Sequence, residues 1–184
     1  MRLPNLVRVS GGALLLALLS GCVPPGAATS PEPTATFVAP YATDEEALAA
    51  AEEAYAEYTR VLEQILLEGG VEPERLEAAA TGDFLTDSIE GLREFEAVGY
   101  RSTGETEYSN YLLQRYSPNA GPLEVVSIYL CSDVSGVDIQ DASGKSVVDR
   151  NREDLATMQV SFSFDETRDS LLITDQQLWK SGEC

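Results

Sequence analysis

The chain is 184 residues long and carries 31 Asp and Glu against 12 Lys and Arg, a formal charge of −19, with no histidine and three cysteines. Such an acidic balance excludes nucleic acid as a partner, because phosphate contacts need clustered Lys and Arg. The lack of histidine removes Ser-His-Asp and Cys-His catalysis, and with them the commonest transition-metal ligand.

At the N-terminus, Arg2 and Arg8 precede an apolar run from Ala13 to Leu19, and Leu18-Leu19-Ser20-Gly21-Cys22 sets small residues ahead of a cysteine. A charged segment, an apolar segment and a small-residue cleavage site describe an exported, processed N-terminus, here of the lipoprotein type. The expectation is a signal peptide over 1–21, a diacylglycerol thioether on Cys22, and a domain held on the extracytoplasmic face of the cell membrane. The alternatives are an ordinary cleaved signal peptide with Cys22 incidental, and an uncleaved anchor; the apolar run is shorter than the roughly 20 residues a span requires. Cleavage would remove Arg2 and Arg8 but no acid, so the charge becomes −21 with ten cations scattered from Arg60 to Lys180. Attachment would then rest on the lipid and not on a basic patch.

Residues 22–43 read as a lipidated cysteine followed by a linker rich in Pro, Ala and Thr, including Pro24-Pro25, Pro31 and Pro33. Proline-rich composition favours extended, semi-rigid spacing at about 3 Å per residue. One globular domain over 44–184 follows, of ordinary size. Thr43 is the expected N-cap of a long helix, with Asp44, Glu45 and Glu46 complementing its dipole. Leu48, Ala51, Tyr55, Tyr58, Leu62 and Ile65 recur at steps of three and four on one face, and Gly69-Gly70 stops it. Pro73 suits the first residue of a second helix with Leu76, Ala79, Ala80 and Phe84 on its apolar side. Asp83 or Asp87 would cap a third helix that buries Ile89, Leu92 and Phe95 and ends near Gly99.

From Tyr108 the apolar period changes to two. Strands are expected over 108–116 and 123–131, the second central because it is apolar on both faces. Asp141-Ala142-Ser143-Gly144 reads as a compact turn between Ile139 and a return strand at Ser146–Val148. Met158, Val160, Phe162 and Phe164 alternate with Thr157, Gln159, Ser161 and Ser163, and a turn at 165–169 leads to a final strand, Leu171 to Lys180. Helices followed by antiparallel strands make an α+β fold, with a curved sheet wrapped over the leading helices.

With Cys22 lipidated, Cys131 and Cys184 remain as an even pair outside the cytoplasm and are read as a disulfide. Closing a loop of about 50 residues is worth roughly 4 kcal/mol in the chain-entropy model. No Cys-x-x-Cys accompanies them, and Asp133, Asp138 and Asp141 lack calcium-loop spacing, so no metal or cofactor is expected. Asp133 is the best single candidate for a desolvated acid; the competing reading is a turn or cap residue. Tyr55, Tyr58, Tyr129 and Trp179 are candidate walls of an apolar pocket with polar tips, or, for the helical pair, core.

The long helix with Tyr55 and Tyr58, the Gly99-Tyr100-Arg101-Ser102-Thr103-Gly104 corner, Cys131-Ser132-Asp133-Val134-Ser135, the Asp141-to-Val147 turn and Trp179 ahead of Gly182 and Cys184 carry a resemblance. Over 44–184 the chain resembles the cone-shaped nuclear transport factor 2-like superfamily, in particular its functionally unassigned lipoproteins from high-GC Gram-positive bacteria. The resemblance implies a cone of helices and curved sheet. It carries over no catalytic residue, since cone-fold enzymes typically pair an Asp with a His. The expectation is a non-catalytic accessory domain of the cell envelope that binds a protein partner. The alternative is a carrier or sensor of a small apolar ligand that uses the cone cavity.

Overall fold

The computed structural model describes residues 40–119 and 123–184; the expected signal peptide, Cys22 and most of the linker lie outside the described residues. The first helix, α1 (Asp44–Leu67), starts where its cap predicts, with Thr43 Oγ1 accepting the Glu46 N–H at 3.2 Å. It ends at Gly69 and Gly70, both in the left-handed region, with the Gly70 N–H donating to the Ile65 carbonyl. A 3₁₀ helix (Pro73–Ala78) and a second α-helix, α2 (Gly82–Ala97), follow. Among the described residues no helix is long and apolar enough to cross a membrane.

Six strands complete the domain: β1 (Arg101–Thr103), β2 (Glu107–Tyr116), β3 (Val126–Asp133), β4 (Asp138–Gln140), β5 (Leu155–Asp165) and β6 (Ser170–Ser181). Four of them form an antiparallel sheet in the order β2-β3-β5-β6, and β1 pairs with β4 in a small separate ribbon. The fold is therefore α+β, with β3 and β5 central. Val126, Ile128 and Leu130 pair across with Phe162, Val160 and Met158, so period-two alternation puts them all on one face. That face meets the α1 stripe of Ala47, Ala51, Tyr55, Tyr58 and Ile65, together with Leu76 and Leu92, in a single buried core. Each large side chain so buried contributes about 1.5–3 kcal/mol. α1 lies across β2, β3 and β6, and α2 packs beside β6.

Three expectations are corrected by the structure. Residues from Pro73 form six residues of 3₁₀ helix and not a second α-helix; Ala80 leaves it to bridge Ile173 in parallel, bracketed by bonds from Ile173 N–H to the Ala79 carbonyl and from Thr81 N–H to the Ile173 carbonyl. The N-cap of α2 is Thr81, not Asp83 or Asp87, which lie within the helix. Ser146–Val148 is not a strand: Asp141 Oδ1 holds the turn by accepting the Ser143 and Lys145 N–H groups, but the return makes only the isolated Gln140–Ser146 bridge, and β4 pairs with β1 instead.

The disulfide joins Cys131 to Cys184 with their Cα atoms 5.3 Å apart, pinning the chain end to β3. The other end is fixed as well. Tyr41, ahead of the expected domain start, sits against Tyr116 and Phe164, its N–H donating to Tyr116 Oη at 3.1 Å and its carbonyl accepting the same hydroxyl at 2.6 Å. The β1–β2 corner requires glycine. At Gly104, with φ at +83°, an added Cβ would lie 1.9 Å from the Gly136 carbonyl oxygen. Gly104→Ala is therefore expected to lose several kcal/mol, whereas Gly144→Ala, also at positive φ but facing open space, should lose about 1 kcal/mol. Urea unfolding of the two variants checks this, and equal losses would show that the close approach is not what matters.

Candidate binding surface

Burial separates the sequence-predicted pocket residues into two groups. Tyr55 and Tyr58 are 1% and 4% exposed and sit inside, between α1 and the sheet. Tyr108 stands edge-on to Tyr55 at 5.1 Å, Tyr111 lies at 6.4 Å, and Phe84 of α2 meets Tyr58 at 5.8 Å. The Tyr55 hydroxyl points at Gln176 Oε1, 3.5 Å away. These rings fill the interior. Tyr129 and Trp179 lie on the opposite face of the sheet, rings 5.2 Å apart, so the five candidates do not converge on one cavity.

Asp133 stands at the end of β3, where its Oδ1 accepts the Ser135 N–H at 2.8 Å. That bond, with a second from the Ser135 side chain, holds its carboxyl below the usual range, the opposite of what a desolvated acid would show. It is a turn residue. Among the described residues no group of three or more Cys, Asp or Glu is placed to hold a metal ion.

The outer face of the sheet carries Ser127, Tyr129 and Cys131 of β3 opposite Ser161, Gln159 and Thr157 of β5. At its Tyr116–Phe164 end this face is small, polar and buried, with the Ser127 and Ser161 hydroxyls 3.1 Å apart. Toward the disulfide it becomes apolar. Leu112 of β2 pairs beside Tyr129, and a break in the β5–β6 register between Thr157 and Met158 leaves Trp179 as an extra residue next to Lys180. Such a bulge re-aims the side chain it carries. The result is a shallow recess of about 210 Å³ lined by Leu112, Tyr129, Trp179 and the Cys131–Cys184 pair. Leu112 and Trp179 are 63% and 55% exposed, so apolar side chains lie open on this part of the sheet face. Sequence reasoning found Tyr129 and Trp179 but not Leu112.

Two other recesses are acidic. A cleft of about 470 Å³ between α2 and β6 is lined by Asp83, Asp87 and Asp175 beside Phe84 and Gln176. A groove of about 380 Å³ runs between α1 and the β5–β6 turn, with Glu53, Glu57 and Asp169 over Ala50, Ala54 and Leu171. Tyr41 borders that groove, and burial, then the charge of Asp169, then Tyr116 and Glu53 push its phenol up to about 12.

Burial, followed by neighbouring phenols, also raises Tyr55 and Tyr58. Folded protein thus keeps protons that the unfolded chain releases near pH 10, so this stability is fully present below pH 10 and is lost as pH rises through the folded values. The urea midpoint is expected to fall as pH rises from 10 toward 12, less steeply in Tyr55→Phe. Ultraviolet titration of the eight tyrosines should show Tyr41 ionising near 12 and the Tyr55–Tyr58 pair only on unfolding. A single transition near pH 10 in folded protein would contradict it.

No family model and no curated protein matches this chain. Among solved structures it is similar to the crystal structure of the intermembrane space region of the chloroplast protein ARC6, with a TM-score of 0.53 and 12% identity over 71% of this chain and 95% of that one. It also overlaps the solution structure of a de novo β-sheet design at a TM-score of 0.32 and 14% identity, covering 74% of this chain and 89% of the design. At 12% identity the likeness to the ARC6 region is one of fold alone, a mixed arrangement of helices and antiparallel sheet.

Proposed function

We propose that the chain is an extracytoplasmic lipoprotein, anchored by lipid on Cys22, whose domain is a cone of the nuclear transport factor 2-like kind and serves as a non-catalytic, protein-binding accessory of the cell envelope. The observation that carries the binding role is the exposed apolar recess of Leu112, Tyr129 and Trp179 on the face of the sheet that no described helix covers. Aromatic side chains left half in water on an otherwise polar face are the composition of protein interfaces. The filled interior supports the same reading. An apolar-ligand carrier needs an open apolar cavity, whereas Tyr55 and Tyr58 occupy that volume and the α2–β6 cleft is walled by carboxylates.

The disulfide supports the extracytoplasmic address, since such bonds persist in oxidising compartments. The seat of Tyr41 sets the recess apart from the N-terminal side of the domain. It lies at the Tyr116–Phe164 end of the sheet, and Thr157 is seven strand residues along β5 from Phe164, or about 23 Å. The recess thus lies at the far end of β5 from the point where the chain enters the domain.

Two measurements test this. Metabolic labelling with a clickable fatty acid in the native host should mark the wild type and not Cys22→Ala, which should also leave the membrane fraction; an unlabelled wild type would overturn the anchor. A photocrosslinking residue in place of Leu112 should give a discrete protein adduct, while the same residue in place of Leu67, exposed on α1, should not. Equal adduct patterns from the two positions would remove the recess as the binding surface.

A further inference from the structure

The recess has an electrostatic frame that specifies its partner. Tyr108 points inward to Tyr55, so alternation sends Glu107 to the outer face, where its register partner is Asp133. Both lie one outward position beyond the Ser109–Cys131 pair, at the disulfide end of the recess. Asp175, at the edge of β6 that also borders the α2–β6 cleft, pairs with Ser161 farther along the same face, its Oδ2 accepting the Gln177 amide at 2.9 Å. Glu153 lies against Gly182, just past the last strand. The cations there are already matched: Lys180 with Glu183 at 3.1 Å and Arg115 with Glu124 at 3.0 Å. Around an apolar centre there stand four carboxylates that no cation among the described residues pairs, on a chain of formal charge −19.

Resting on the protein-binding reading above, we infer that this surface takes a protein segment that presents an apolar side chain flanked by Lys or Arg. The apolar side chain seats between Leu112, Tyr129 and Trp179 over the disulfide, and the flanking cations meet Glu107 and Asp133 on one side and Asp175 on the other. A second copy of this chain is excluded by the same charges, since it would bring two acidic rims together, and like-charge juxtaposition across an interface costs several kcal/mol. Anionic lipid and nucleic acid are repelled for the same reason. The recess is also too open to enclose a small molecule, because ligand sites bury most of the ligand whereas Leu112 and Trp179 remain more than half exposed. An open apolar patch with a charged rim suits a side chain delivered on a polypeptide.

Trp179 is the sole tryptophan in the chain and lies in the recess, so its emission reports occupancy directly. The test uses the protein purified from its native host and two synthetic probes, a peptide with a central Leu-Phe pair flanked by lysines and the same peptide with glutamates in place of the lysines. The lysine peptide is expected to shift Trp179 emission to the blue and to bind about tenfold more tightly than the glutamate peptide at low salt, an advantage that shrinks as salt screens the rim. Leu112→Ser should weaken its binding several-fold, and Glu107→Gln with Asp133→Asn should erase most of the difference between the peptides. Both variants change exposed or strand-end positions, and circular dichroism verifies that each stays folded. Equal binding of the two peptides overturns the charge assignment and leaves the surface standing. No response of Trp179 to either peptide overturns both readings, and so does tight binding unaffected by Leu112→Ser. A blue shift that grows with protein concentration alone, with dimer mass by light scattering, overturns the exclusion of a second copy.

Discussion

Burial of one stripe of α1 against one face of the sheet is the constraint from which the rest follows. Ala47 and Ala51 let the helix approach closely, while Tyr55, Tyr58 and Ile65 fill the space beneath it against Val126, Ile128, Val160 and Phe162. The contact fixes the register of the central strands, because a slip of one residue would carry Val126, Ile128 and Leu130 to the other face and Ser127 and Tyr129 into the core. It also decides where phenols can sit. Tyr55 takes its large ring into the interior with the hydroxyl aimed at Gln176, and the neighbouring tyrosines close around it, so the space between helix and sheet is occupied by the chain's own side chains.

All the described helices contribute to that one face; on the other, Ser127, Ser161 and Ser163 are buried, and only the disulfide end, with Leu112 and Trp179, is open to solvent. Antiparallel sheets tolerate this when the solvated face is polar. Gln159 and Gln177 satisfy the rule, and the buried Ser127 and Ser161 hydroxyls satisfy each other. Leu112, Tyr129 and Trp179 depart from it, beside a disulfide that holds the last residue of the chain onto β3. A local departure from patterning beside a covalent constraint is where function is usually found. The bulge at Trp179 strengthens the case, since it costs ladder hydrogen bonding and re-aims the ring it displaces.

What could be read in advance follows from how much sequence each feature spans. α1 was legible because a cap, an acidic first turn, six apolar positions and a Gly-Gly stop all agree, and β5 because four apolar and four polar residues alternate without interruption. The 3₁₀ helix was not, since Pro73, Leu76 and the alanines after it give one turn the same spacing whether the helix is α or 3₁₀. The β1–β4 ribbon has three residues a side, too few to show a period. At the surface, Tyr129 and Trp179 were visible as large aromatics outside the helical stripe. Leu112 was hidden by Leu113 next to it: adjacent leucines in a strand point to opposite faces, and a register break after Ser109, with Asn110 at a φ of 54°, settles which one faces out.

The Tyr41–Tyr116 contact has a mechanical consequence. Tension applied to the chain from its N-terminal side reaches Tyr41 before it reaches Thr43 and the first turn of α1. Both backbone groups of Tyr41 are held by one phenol at the end of β2, so the load passes into that strand. The β2–β3 hydrogen bonds lie across the strand direction, and a force directed along β2 strains them together in shear instead of opening them one at a time. The helix cap on which the core depends is thereby shielded, and the domain is braced to stay folded under tension from that side.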